Sequence, residues 1–108
     1  MATDTSPQTL TLPISLNIRS IGGVHDLMLD VLSKHDSIIV DIPDEAQADL
    51  SFIQLMESSC RYARTQGKTI TLKKPAGAGV METLQRGGFL TEMDQASRLF
   101  WLHGKEIQ

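Results

Sequence analysis

The sequence predicts an α/β fold, a single small domain in which helices pack against a small, mostly parallel sheet. Three observations predict it. Runs at residues 8–12, 37–42 and 68–73 have strand character, either alternating or β-branched. Segments of helical apolar spacing lie between and after them. Strand and helix therefore alternate along the chain, which is the order that parallel βαβ crossovers produce. With 108 residues, 41% of them hydrophobic and 21% charged, the chain has material for one core and none for a second domain. We expect a disordered tail over residues 1–7, rich in Thr, Ser and Pro, and one domain over 8–108.

The elements follow in order. Residues 8–12 (QTLTL) alternate and read as a half-buried strand; Pro13 interrupts it, and residues 14–16 extend it after a kink. Asn17 is suited to cap a helix whose start falls between Ile18 and Val24. Its apolar stripe is Ile18, Ile21, Val24, Leu27, Met28, Val31 and Leu32. Gly22 and Gly23 weaken its first turns by about 1 kcal/mol each. Residues 37–42 (SIIVDI) form a continuous apolar run, the composition of a strand covered on both faces. An acidic loop, 43–48, leads to a long helix over 50–66, with Asp49 as its cap and Gly67 as its stop.

That long helix carries one apolar stripe of Leu50, Ile53, Met56, Cys60 and Ala63, flanked by Phe52, Leu55 and Tyr62. Ser51, Gln54, Ser58, Arg61 and Thr65 make the polar face opposite. Residues 68–73 (KTITLK) give the next strand. A glycine-rich turn over 75–79 opens a short helix over 80–86 with Val80, Met81 and Leu84 inward. Gly87 and Gly88 end it, with Phe89 placed for the contact that follows a glycine C-cap. The last segment has two readings. Thr91, Glu92, Met93 and Asp94 resemble a capping box that opens a helix through Leu102, and residues 97–103 could instead pair as an edge strand; the helix is the preferred reading.

Composition excludes several function classes. A net charge of −3, with no basic cluster larger than Lys68, Lys73 and Lys74, gives no face for a nucleic-acid backbone. The lone Cys60 cannot form an internal disulfide, which suits a reducing compartment. No apolar run approaches the roughly 18 residues that span a bilayer, and no signal pattern opens the chain. The expectation is a cytoplasmic protein with no direct membrane insertion. His25, His35 and His103 are scattered outside any zinc-like spacing, so no metal site is expected. No serine, histidine and carboxylate constellation suggests catalysis, and neither an enzymatic activity nor a cofactor is expected. Residues 73–79 (KKPAGAG) have the lysines and glycines of a phosphate-cradling loop. They lack the spacing of a P-loop or dinucleotide fingerprint, and a strand-to-helix turn is the simpler reading.

The order and spacing of IIVDI…ADLSFIQLMESSCRYARTQGKTITLKKPAGAGVMETLQRGGFL, covering roughly residues 15–90, resembles the STAS family of sulfate transporters and anti-sigma factor antagonists. The resemblance implies a STAS-like domain and a regulatory, non-catalytic adaptor that acts by protein–protein interaction. In anti-sigma factor antagonists the loop and the head of the long helix dock on an anti-sigma factor, often a GHKL-type kinase. That kinase phosphorylates the first serine of an Asp-Ser-Ser-Gly-like motif and so breaks the complex. Carried onto this chain, the docking residues are Asp44, Glu45, Asp49, Leu50, Ser51, Phe52 and Gln54. Here the motif departs from the pattern: Leu50 stands where the phosphorylated serine would be and Phe52 where the glycine would be. Only Ser51 matches, one residue on, and a one-residue move turns a helical side chain by about 100°.

Ser51 therefore has three readings: an ordinary first-turn serine, an unmodified interface contact, or a displaced phosphosite. The first is the simplest. The resemblance leaves the partner open between a bacterial anti-sigma factor, kinase or chemotaxis-type signalling protein and the ATPase of a phospholipid-type ABC transporter. A third implied role, a sensor of nucleotides or other small molecules, has only the Lys/Gly turn in its favour. The sequence adds an expectation of its own, an apolar tip of Leu50 and Phe52 rimmed by the carboxylates of Asp44, Glu45 and Asp49.

Overall fold

The structure, a computed structural model, describes residues 7–89 and 93–103. Strand β1 (Gln8–Thr11) pairs with β3 (Ser37–Asp41), and β3 with β5 (Thr69–Leu72), both in parallel. The sheet order is β1-β3-β5. A second parallel pair joins β2 (Ser15–Leu16) to β4 (Gln47–Ala48). Four helices complete the described residues: α1 (Ile21–Lys34), α2 (Leu50–Thr65), α3 (Ala78–Arg86) and α4 (Gln95–Leu102). The fold is thus a single α/β domain with a small parallel sheet. Most of the tail expected over residues 1–7 lies outside the described residues.

The core sits between the helices and one face of the sheet. Ile38 and Val40 of β3 are fully buried, with Ile70 and Leu72 of β5 directly opposite them in register. The other face carries Ile39, flanked in register by Thr9 and Thr71, both exposed. This corrects the expectation that residues 37–42 are covered on both sides. β1 and β5 alternate apolar with threonine, so only one face of the sheet is apolar enough to hold helices.

Three further expectations are corrected. Helix α1 begins at Ile21, within the expected range, but its N-cap is Ser20, with no side-chain cap bond, and not Asn17. Asn17 instead folds the approach: its Oδ1 accepts from the N–H groups of Arg19 (2.9 Å) and Ser20 (3.3 Å), a local turn typical of Asn. Its stripe is Val24, Met28 and Leu32, with Ile21 and Val31 partly buried against the core, while Ile18 and Leu27 are exposed. Second, the 43–48 segment is not all loop, since Gln47–Ala48 is strand β4 and hydrogen-bonds across to the 14–16 segment. Third, α4 begins at Gln95 with Asp94 as its cap, accepting from the Ser97 N–H at 2.8 Å. Thr91 and Glu92 of the expected capping box lie outside the described residues. The segment is a helix, and the edge-strand alternative falls.

Helix ends elsewhere follow the sequence signals. After α2, Gly67 adopts φ +69°, and the Lys68 N–H donates to Ala63 O at 2.8 Å, closing a Schellman turn. After α3, Gly88 adopts φ +75°, the Phe89 N–H donates to Leu84 O at 3.0 Å, and the Phe89 ring folds back over Gly87. Trp101 on α4 is completely buried. It meets Phe52 edge-on at 6.4 Å, and its Nε1 donates to Glu57 Oε1 at 2.8 Å. A buried indole needs such an acceptor, and Glu57, unremarked in the sequence, supplies it from α2.

The glycines separate into two kinds. A Cβ at Gly79 would collide with the Ala46 carbonyl oxygen, and one at Gly77 would lie 3.1 Å from Asp44 O. The lysine/glycine turn is therefore shaped by backbone-to-backbone contact with the 43–48 segment. Gly22 and Gly23, in the first turn of α1, have open space where a Cβ would go. Gly79→Ala should lower stability by about 1–3 kcal/mol through overpacking. Gly22→Ala should raise it by up to about 1 kcal/mol. Urea unfolding at neutral pH measures both, and a Gly79→Ala chain as stable as the parent would contradict the packing described here.

Candidate docking surface

The head of α2 is built around one carboxylate. Asp49 Oδ1 accepts from the backbone N–H of Ser51 (3.0 Å) and of Phe52 (3.4 Å), and also from the Ser51 hydroxyl. These bonds satisfy donors that the first turn of any helix leaves free. Its second oxygen, Oδ2, accepts from the N–H of Ile18 at 2.9 Å, thirty-one residues earlier in the chain. Asp49 thus caps α2 and fastens the β2–α1 connection to it. Hydrogen bonds from the Ser51 hydroxyl and from the N–H groups of Ile18, Phe52 and Ser51 favour the charged form. Together they hold the Asp49 pKa below its ordinary value, against a smaller opposing effect of burial.

The backbone of the 43–48 segment is held from two sides. On one, Gln47 N–H donates to Ile14 O (2.8 Å) and Asp49 N–H to Leu16 O (2.9 Å). On the other, Thr83 Oγ donates to Ala48 O at 2.5 Å, and the backbone of α3 closes in at Gly77 and Gly79. This segment is short, paired and pinned, so the surface it carries is set before any partner arrives.

The expected docking residues divide on this frame. Leu50 is 43% exposed and rests partly against Gly87. Gln54, Glu45 and Asp44 are exposed, and Asp49 and Ser51 are half-buried. Phe52 is fully buried. It packs beneath the helix against Trp101, which corrects its placement on the apolar tip: one position on from Ser51, the helical turn carries the side chain into the core. The acidic rim is also less acidic than the sequence implies. Lys74 pairs with Asp44 at 2.9 Å, and Lys73 lies 3.9 Å from Asp41. The hydrogen bond to Asp44 raises the Lys74 pKa above its ordinary value. Among the described residues Glu45 has no ion-pair partner.

One surface residue was missed. Ile18 is 69% exposed, and its N–H is held by Asp49 Oδ2 at the head of α2. The sequence had placed Ile18 on the buried stripe of α1. The signal that could have moved it was Asn17, whose turn-forming chemistry ends helical spacing before Ile21.

Beside this surface an open cleft of about 650 Å³ runs between α2 and the α3–α4 side, with Gln54, Arg61, Phe89 and Asp94 among its lining. No group of three or more His, Cys, Asp or Glu side chains is placed to hold a metal among the described residues. Within them, no helix is long and apolar enough to cross a membrane. Cys60 is half-buried on α2, its thiol pKa pushed up to about 12 by burial and by Glu57. At neutral pH it is a thiol and a poor nucleophile.

Comparisons with family models, with curated proteins and with solved structures found no match.

Because the folded pKa of Asp49 is depressed, the stability it contributes is fully present above the ordinary value of 3.8 and is lost as pH falls through the lowered folded value. Asp49→Ala should cost about 1–2 kcal/mol at neutral pH. Asp49→Asn keeps a capping oxygen but cannot titrate, so the stability gap between wild type and Asp49→Asn should narrow in strong acid. Urea melts at pH 7 and below pH 3.8 would show it, and a gap unchanged with pH would remove the charge from the account.

Proposed function

We propose that this chain is a STAS-type regulatory domain that works in the cytoplasm as a non-catalytic adaptor, binding another protein through the head of α2. The observation that carries the reading is the exposure of Leu50, the first residue of α2, and of Ile18, whose N–H is held by the Asp49 cap. Apolar anchors on a rigid frame, rimmed by polar groups, are the form of a protein-binding hot spot. The sequence resemblance supplies the class of partner: an anti-sigma factor, a GHKL-type kinase or a related bacterial signalling protein.

The usual serine switch has no place in this reading. Leu50 has no hydroxyl, and the Ser51 hydroxyl donates to Asp49 inside the cap. A phosphate on Ser51 would replace that donor with acceptor oxygens carrying close to two negative charges, beside a carboxylate. This favours a second reading equally, as the STAS subunit of a phospholipid-type ABC transporter, in which the same surface meets the ATPase and no phosphorylation is needed.

Affinity capture from the native cell, with wild type and Leu50→Arg as baits and identification by mass spectrometry, tests the proposal. The expected outcome is one protein recovered by wild type and lost with Leu50→Arg. With that partner purified, affinity should fall at least about tenfold, equivalent to about 1.4 kcal/mol, while the melting temperature of the bait is unchanged. A GHKL-type kinase or signalling protein supports the first reading, and an ABC ATPase the second. Identical recovery by both baits would overturn docking at the head of α2. Ser51→Ala should bind the partner as wild type does, whereas a displaced phosphosite requires Ser51→Ala to abolish regulation of the complex in the cell.

A further inference from the structure

The sheet has one edge that pairs with no strand among the described residues. β1 stands at one end of the order β1-β3-β5, while α4 packs along β5 at the other. Leu12 N–H donates to Asp41 O at 2.9 Å, so the even-numbered residues of β1 turn their backbone groups toward β3. By the alternation of a parallel strand, positions 7, 9, 11 and 13 turn theirs to the open edge. Pro7 and Pro13 have no N–H to offer. The open donors are those of Thr9 and Thr11, placed evenly on either side of Leu10. β1 carries no charged side chain, although charge is a usual guard of a bare edge. Prolines placed to blunt this edge would stand at 9 or 11; at 7 and 13 they frame the donors and leave them open.

This pattern is its own complement. Turned antiparallel about Leu10, the strand sets Thr9 against Thr11 of a second copy, and each exchanges N–H and C=O with the other. Pro7 then lies opposite Pro13, so no N–H on either side is left unmatched. Moving the axis by one residue would set a threonine opposite a proline and leave a carbonyl without a donor. Leu10, half-buried and in register with Val40 on the helix-bearing face, would meet its own copy across the axis. A second observation stands on α1. Leu27 and Leu29, both exposed, lie about 100° to either side of the buried Met28. Leu29 lines a groove with Leu55 and Tyr62 of α2, so Leu27 turns away from α2. Because α1 packs on β3 and α2 on β5, that direction is toward the β1 edge.

We propose that the β1 edge is the interface of a symmetric dimer. Two copies join their sheets through antiparallel β1 strands, and their α1 helices approach across the axis at Leu27. With α4 along β5 and His103 bonded to Leu72 O, β1-to-β5 stacking is blocked and assembly closes at two copies. An unrelated extended segment would pair with Thr9 and Thr11, but it would leave the proline symmetry and Leu27 without a use. A hairpin with the residues before Pro7 would have to turn at Ser6–Pro7, since Gln8 is already in register with Ile38. The favoured two-residue turns require φ > 0 at that serine, a region serine rarely enters.

This surface is separate from the head of α2, and the test keeps the two apart. Sedimentation of the full chain should give a species of twice 11.9 kDa that dissociates on dilution. Hydrogen exchange at two concentrations should find the Thr9 and Thr11 amides slower in the dimer than in the diluted monomer. Thr9→Pro leaves the bonds to β3 in place, because position 9 faces outward. It should raise the dissociation constant at least about thirtyfold, for one donor lost in each copy. Should that variant not fold, Leu27→Glu decides: it sets like charges across the axis and should weaken the dimer at least about tenfold with an unchanged melting temperature. Leu50→Arg should dimerise as wild type does, whatever the fate of its partner capture. A single-chain mass at every concentration up to about 1 mM overturns the proposal, as does a dimer that both edge variants leave intact. Slow exchange at Thr9 and Thr11 in a monomer would give this edge to the chain's own residues and overturn it equally.

Discussion

The Asp49 carboxylate is the junction on which the head of α2 and the segments packed around it depend. Three stretches of chain meet at it: the β2–α1 connection through Ile18 N–H, the 43–48 segment through its own backbone, and the first turn of α2. Each bond would be ordinary alone. Their convergence on one side chain means that the orientation of α2 and the exposure of Leu50 and Ile18 are a single property. Charge strengthens the arrangement, because a carboxylate accepting from several backbone donors at a helix N-terminus is favoured by the helix dipole as well as by the hydrogen bonds. α3 completes the frame, its glycines allowing a backbone approach that any side chain would prevent.

Local signals carried most of the architecture. Strand alternation, the Asp49 cap, both glycine-terminated helix ends and the helical character of 95–102 are properties of a few adjacent residues, and each is where a reading of those residues places it. The failures share one cause: burial is decided by what lies opposite, and a linear pattern does not contain that. Ile39 looks like core until Thr9 and Thr71 are found beside it. Ile18 fits a helical stripe by spacing, yet it lies in a turn made by Asn17. Phe52 looks like a surface anchor when aligned to a motif, but it faces Trp101, forty-nine positions along the chain. The β2–β4 pair is two residues long and has no composition of its own. Leu50, Gln54, Asp44 and Glu45 were legible as surface because charge, helical phase and loop position agreed.

The open face of the sheet bears on the same point. Parallel sheets normally carry helices on both sides, and β3 by composition could serve that role. Its neighbours could not, since β1 and β5 place threonine at every outward position among the residues that pair with it. The helices accordingly gather on one side, and α4 is left to cover the β5 edge in place of a further strand. That arrangement explains why Trp101 is the largest fully buried side chain: it fills the corner where the sheet ends, sealed by Phe52 and Phe100 and anchored to Glu57.

A cap and a switch make opposite demands on the same hydroxyl. A phosphoacceptor must be free to enter a kinase and must lose little when its proton is replaced by a phosphate. The Ser51 hydroxyl instead donates to the carboxylate that holds the whole end of the domain together, and its modification would set charge against charge at the junction described above. At the neighbouring position Leu50 offers an apolar contact whose strength no modification adjusts. The head of α2 is therefore arranged for constancy. If it binds a protein, the regulation of that contact must come from the partner or from a surface elsewhere on the domain.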